Sequence, residues 1–318
     1  MKMHLSGRGR RLKYSVMCAL WGIHGLAFAS CGSAFCTVNT DWDTQAPWEN
    51  DATRLDLRME YIHQNQPRSG TDKVLGGGHH QEVETYNRNW VMGLSHAFTP
   101  DWNLSVQIPV VSRDHLHIHN HHGVPIPESW DFTRLGDIRM LTHIRLDTSV
   151  PSQGAFGLLG GIKLPTGSID VRNNDGDVAE RSLQPGSGST DLIAGGFVSG
   201  RFAQTDWHAQ LRWQHAVLER QNYRPGDQLG LDAGIRYPLG PVQALAQINL
   251  LWRGHDRGVN AEPADSGGQF VFLSPGLALP IGRNMQAFGL IQLPLYQNVR
   301  GVQLTADWAA TAGLTMRF

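Results

Sequence analysis

The last eleven residues, Trp308 to Phe318, most constrain what this chain can fold into. Trp308, Ala310, Ala312, Leu314, Met316 and Phe318 fall on one side of an extended strand, and Ala309, Thr311, Gly313, Thr315 and Arg317 on the other. A period of two marks a strand with one apolar face. An apolar row that runs to a terminal Phe suits the closing strand of an outer-membrane barrel, with one face to lipid and the other to a wet interior. A single strand of this kind also fits a β-sandwich, so the rest of the chain decides.

The same alternation recurs from Arg54 onward. Leu55, Leu57, Met59 and Tyr61 oppose Arg54, Asp56, Arg58 and Glu60; Trp207, Ala209, Leu211 and Trp213 oppose His208, Gln210, Arg212 and Gln214. About twelve such segments follow one another. Their connections alternate between tight turns, such as Thr99-Pro100-Asp101 and Pro238 to Pro241, and long polar stretches at 63–82, 113–134, 165–189, 218–228, 254–268 and 296–307. A membrane barrel shows that parity, with short turns on the periplasmic side and longer loops outside. No segment after residue 30 carries the ~20 apolar residues of a spanning helix. Mean hydropathy is −0.30, which alternation explains by averaging lipid-facing residues away. The expectation is an all-β chain: a single antiparallel transmembrane β-barrel of about 12 strands over residues 54–318, with a short N-terminal extension, in the outer membrane of a Gram-negative bacterium.

The N-terminus reads as a signal peptide over residues 1–29. Lys2, Arg8, Arg10, Arg11 and Lys13 precede an apolar core, and Ala27-Phe28-Ala29 is a small-x-small cleavage site. Its removal leaves 22 Lys and Arg against 28 Asp and Glu, a net charge of about −6, with no basic patch for nucleic acid. Residues 30–53 read as a periplasmic lead-in or plug. Cys31 and Cys36 are candidates for a disulfide in an oxidising periplasm, and Cys31 alternatively for lipidation. The partners implied are the lipid bilayer and, through the strand ending at Phe318, the barrel assembly machinery.

Parity sends Arg54, Asp56, Arg58, Glu60, Arg139, His143, Arg145, Asp147, Arg212, Asp232 and Arg236 to the lumen. That lining is polar and partly cationic, suited either to guide a small solute or to neutralise itself in ion pairs that plug the barrel. A second constellation is rich in imidazole. His115, His117, His119 and His121 are spaced by two and share one face if extended, with His122 adjacent and His79 and His80 in the preceding long loop. Imidazole is the usual ligand for Zn²⁺, Cu²⁺ or Ni²⁺, so this set is a candidate metal site; solvated loop histidines are the plainer reading. No nucleophile elbow, HExxH helix or phosphate loop is present, so no enzyme is predicted.

Leu135-Gly136-Asp137-Ile138-Arg139, then Gly161-Ile162-Lys163-Leu164-Pro165-Thr166-Gly167, then Gly186-Ser187-Gly188-Ser189-Thr190-Asp191 resemble the outer-membrane family called "MetA-pathway of phenol degradation". The resemblance covers the middle third of the chain. It implies a transporter-like barrel with no catalytic residues, and it leaves the solute undefined. The His-rich stretch departs from the family pattern. The function expected is therefore a channel for a small solute, with metal binding by the His-rich loops as the alternative.

Overall fold

The computed structural model describes residues 52–74, 80–121, 124–146 and 154–318, with residues 80, 120 and 121 described in their backbone only. Residues 1–51 with Cys31 and Cys36, then His79, His122 and Asp147, and the side chains of His80 and His121, lie outside the described residues.

The described residues form thirteen strands: β1 (Thr53–Gly70), β2 (Asp72–Lys73), β3 (His80–Thr99), β4 (Trp102–His121), β5 (Val124–Leu135), β6 (Ile138–Arg145), β7 (Ala155–Leu164), β8 (Thr190–Phe202), β9 (Thr205–Leu218), β10 (Gln228–Leu239), β11 (Val242–Arg253), β12 (Gly268–Ile281) and β13 (Met285–Arg317). All described strand pairs are antiparallel, and wall strands that follow one another in sequence are neighbours in the sheet. The sheet closes on itself where β1 meets β13, from Arg54 opposite Arg317 onward. Closure leaves no unpaired edge, which lipid would penalise heavily.

Eleven strands build the wall, with β2 and β5 outside the closed ring. The long β13 crosses the wall twice: Met285 to Val299 pairs with β12, and the remainder pairs with β1. It reverses at Gly301, whose φ of 64° a side chain would strain, and Arg317 N donates to Asn284 O at 2.8 Å across the hairpin. The other ten wall strands cross once, so there are twelve crossings, as the alternation predicted.

The outward faces are apolar. Leu57, Trp90, Leu211, Trp213, Ile248, Trp308 and Leu314 are all large, hydrophobic and exposed. In water such a belt would drive aggregation; around a closed barrel it is a lipid-facing surface. The protein is thus a membrane-spanning barrel of the type found in Gram-negative outer membranes.

Two expectations need correction. Residues 113–121 and 124–134 are strand, not loop, and residues 63–70 of the expected loop 63–82 continue β1. The first half of β4 pairs with β6, while Val110 to His121 pairs with β5, so the sheet continues past the rim as a hairpin. Residues 296–307 are likewise a strand with a tight reversal. Beyond the bilayer neither face must be apolar, so the hydropathy period fades although the backbone ladder persists. The lumen is also not polar throughout. Ile62, Leu251, Phe270, Phe272, Val299, Ala306 and Ala309 form a buried apolar cluster on one arc of the inner face.

Candidate functional site

The segment after β7, residues 165–189, lies across the outer mouth of the barrel. Leu183 is fully buried against Trp130 and Phe132 of β5 and Leu304 of β13. From the near wall Arg113 donates to Leu183 O at 2.6 Å and Ser182 O at 3.3 Å, and Trp130 Nε1 donates to Asp177 O at 3.0 Å. On the far side Arg181 lies over the Tyr223 ring at 4.9 Å, and Tyr223 donates to Asp256 Oδ2 at 2.8 Å. Three outer segments thus interlock above the lumen.

The two ends of the crossing segment are fastened by the residues of the three quoted motifs. Asp137, just before β6, accepts from Gly167 N at 3.1 Å, Ser187 N at 2.8 Å and Ser187 Oγ at 2.7 Å. Lys163 sits between Asp191 at 3.0 Å and Asp137 at 3.3 Å, and also donates to Ser187 and Ser189. Asp191 further accepts from Ser189 Oγ at 2.6 Å and Gln214 Nε2 at 2.6 Å. Every charge in this buried knot is paired or hydrogen-bonded, the condition on which burial of charge is tolerable. The glycines allow the approach: a Cβ on Gly167 would lie 2.6 Å from Gly186 Cα. The motifs form a latch for the crossing segment.

Beneath the latch lies a cavity of about 310 Å³. Arg58, Arg113, Arg139 and Lys163 line one arc, Arg212 and Arg253 another, and Arg181 hangs from the crossing segment, against only Glu60, Asp137 and Asp191. Arg58 is held by Glu60 at 3.0 Å and Asp56 at 3.3 Å, and Arg253 by Asp256 at 2.9 Å. Arg139 and Arg212 are near enough to repel each other, with Asp191, Asp137 and Glu60 within electrostatic reach of Arg139 and Asp232 of Arg212, and neither makes a close ion pair among the described residues. The residues that line the cavity directly thus carry an excess of positive charge, with Asp56, Asp256 and Asp232 standing behind Arg58, Arg253 and Arg212.

Of the other residues assigned to the lumen, Asp232 is buried and accepts from Asn249 Nδ2 at 2.7 Å. His143 packs edge-on to Phe197, and Arg145 reaches Pro100 O at the periplasmic turn. Arg236 lines a small hollow at that same end with Arg201 and Asp206, and Arg54 sits beside the closing pair with Arg317. The wall residues that sequence reasoning missed, Arg113 and Arg253, obey the same parity as the rest. Lys163 and Asp191 stand opposite each other on Gly-rich strands whose pattern was weak.

The imidazoles are sorted by the β4 hairpin. His115 and His117 point inward and are buried, and together with the equally buried Glu82 they form a compact cluster. His119 is half-buried, with His80 opposite it in register. The cluster lies above the level at which β4 leaves β6, outside the membrane-spanning wall. Burial, with His117 and Arg113 nearby, lowers the His115 pKa to about 3, so its ring is neutral at any physiological pH. Burial also lowers His117, opposed by its bond to Glu128. Glu82 escaped the sequence reading because it fell in the stretch 63–82 read as a polar loop, whereas β3 begins at His80 and carries a β-bulge here. Glu82 pairs with His117 but Glu84 pairs with Leu116, so Val83 is the extra residue and Glu82 is re-aimed inward.

No family model and no curated protein matches the chain. Among solved structures the barrel is similar to an outer membrane channel from Pseudomonas putida F1, with a TM-score of 0.61 and 13% identity over 88% of this chain and 100% of that one. It is more distantly similar to the NanC porin (TM-score 0.46, 10% identity, 82% and 98% covered) and to the P. putida toluene transporter TodX (TM-score 0.42, 9% identity, 85% and 90% covered). At such identities the likeness speaks to the fold: the chain has the fold of an outer-membrane channel.

Proposed function

We propose that this barrel is an outer-membrane channel for a small anionic solute, gated by the segment that crosses its mouth. The observation that carries this reading is the excess of Arg and Lys around the latched cavity. Low-dielectric walls focus such a field and raise the local concentration of anions. A carboxylate would find the planar, fork-shaped donors of Arg139 and Arg212 facing it. The resemblance of the latch motifs to those of a transporter-like family supports the same role, and nothing in the reading requires catalysis. Metal capture as the principal task has less support, because the cluster of Glu82, His115 and His117 stands beside the latched cavity rather than in its lining.

The test is the reversal potential of the refolded protein in planar bilayers under a salt gradient, together with liposome swelling. Anion selectivity is expected, with small carboxylates passing faster than neutral sugars of equal size. The R139Q/R212Q double variant should lose most of that selectivity. Cation selectivity, or passage of neutral aromatic solutes alone, would overturn the proposal.

A further inference from the structure

We propose that Glu82, His115 and His117 form a binding site for a divalent first-row transition metal, with Zn²⁺ the best fit. The site does not depend on the channel reading. Its argument begins with distances. His115 Nε2 lies 3.2 Å from Glu82 Oε2 and 3.4 Å from His117 Nδ1, and all three ligand atoms fall within 4.8 Å of one another. Tetrahedral zinc with bonds of ~2.0–2.1 Å holds its ligand atoms roughly 3.3–3.4 Å apart. Two of the three separations already match the edges of such a polyhedron, and the third lies within 4.8 Å.

The outer hydrogen bonds orient both rings. A ligating imidazole keeps its other nitrogen in a bond to a carboxylate, hydroxyl or carbonyl, which fixes ring and tautomer. The far nitrogen of His117, Nε2, meets Glu128 Oε2 at 2.9 Å. The far nitrogen of His115, Nδ1, meets Thr85 Oγ1 at 2.9 Å. With both far nitrogens protonated, two imidazole lone pairs and one carboxylate converge on a single point. Two His and one carboxylate with a fourth position left for water is a ligand set zinc accepts.

Surrounding charge favours the same occupant. Glu180 on the crossing segment lies within electrostatic reach of Glu82, Glu128, Glu262 and Asp265. Two positive charges placed among these carboxylates relieve a repulsion that burial otherwise sharpens. The site also has a mechanical consequence. Glu82 is on β3, the two histidines are on β4 and the supporting Glu128 is on β5, while the Trp130 ring lies tilted beside both imidazoles and holds the crossing segment through Asp177. A bound ion would clip the three strands beneath that segment.

Calorimetry of the refolded full barrel with Zn²⁺, Cu²⁺ and Ni²⁺ tests the site. One tight equivalent is expected for the unaltered protein. The E82Q/H117Q variant should lose it, by about 100-fold or more in affinity, and E128Q should weaken it about tenfold. A variant with His79, His80, His121 and His122 changed to Asn should keep it. Heat-dependent gel mobility reports whether each variant folds. Should E82Q/H117Q fail to fold, X-ray absorption of the zinc-loaded unaltered barrel decides: two imidazoles with oxygen support the site. A shell of three or four imidazoles, retention of binding in E82Q/H117Q, or loss of it in the four-His variant would overturn the proposal.

Discussion

Replacing Gly167 by alanine tests whether the latch holds the mouth closed. The new Cβ would lie 2.6 Å from Gly186 Cα, 2.8 Å from Gly186 N and 3.0 Å from the carbonyl carbon of Gly136. All three are backbone atoms, so no side chain can rotate aside. Comfortable carbon contacts are ~3.5–4.0 Å, so the facing backbones must part by about 1 Å. They part where Asp137 joins them, through Gly167 N, Ser187 N and Ser187 Oγ. Overpacking costs ~1–3 kcal/mol, and loosening a hydrogen bond to a charged group costs ~1.5–3 kcal/mol. Together about 2.5–6 kcal/mol is removed from the docked state, a shift of roughly a hundred- to ten-thousand-fold in the docking equilibrium. The wall ladder is untouched, so the barrel should still fold. Single-channel conductance and liposome swelling should both rise in G167A. G160A is the control, because its Cβ would meet nothing nearer than the Thr142 methyl at 3.6 Å. A folded G167A barrel with unaltered conductance, or an equal rise in G160A, would refute the reasoning.

Other outcomes follow from the same geometry. Burial, then Asp265 and Asp256, raises the Glu262 carboxyl to about 7, and burial with Glu262 raises Glu180 as well. A carboxyl raised in the docked state supports docking fully at low pH and loses that support as pH climbs through the docked value. Conductance should therefore increase from pH 5 to pH 8, and E262Q should flatten the profile at the low-conductance level. R113A leaves the carbonyls of Ser182 and Leu183 without their donor, which should cost ~1.5–3 kcal/mol of docking and raise swelling rates less than G167A does. On the outer face, L211R places a charge against lipid and should lower the free energy of unfolding in liposomes by about 2–4 kcal/mol; denaturant titration checks the loss.

The wall was legible in the sequence because lipid outside and water inside impose opposite demands on adjacent residues. Leu57 against Arg58, or Leu231 against Asp232, carries that signal in two letters. It weakened where the environment stopped distinguishing the faces. The β4–β5 hairpin stands clear of the bilayer, so His115 and Leu116 alternate in a sense that no longer reports lipid. The apolar arc around Phe272 is hidden for a different reason: an inward Phe beside an outward Val or Leu gives no contrast to read. Lys163 and Asp191 were visible as motif letters, but their pairing needs the register of β7 and β8, which Gly-rich strands do not announce.

The bulge at Val83 shows most directly what parity cannot supply. Counting by twos from Thr85, Asn87 and Val91, all inward and buried, puts Glu82 on the outer face. One extra residue reverses the count and brings its carboxylate beside two imidazoles. A bulge costs the strand a regular ladder position and persists where its side-chain placement is useful or well supported. Here the re-aimed Glu82 meets His115 at 3.2 Å on the same hairpin whose Trp130 anchors the crossing segment. The wall, the latch and the imidazole cluster are thus joined through β3, β4 and β5. Conditions that occupy or empty the cluster should then alter how firmly the mouth is held, which makes ion binding and solute passage two readings of one hairpin.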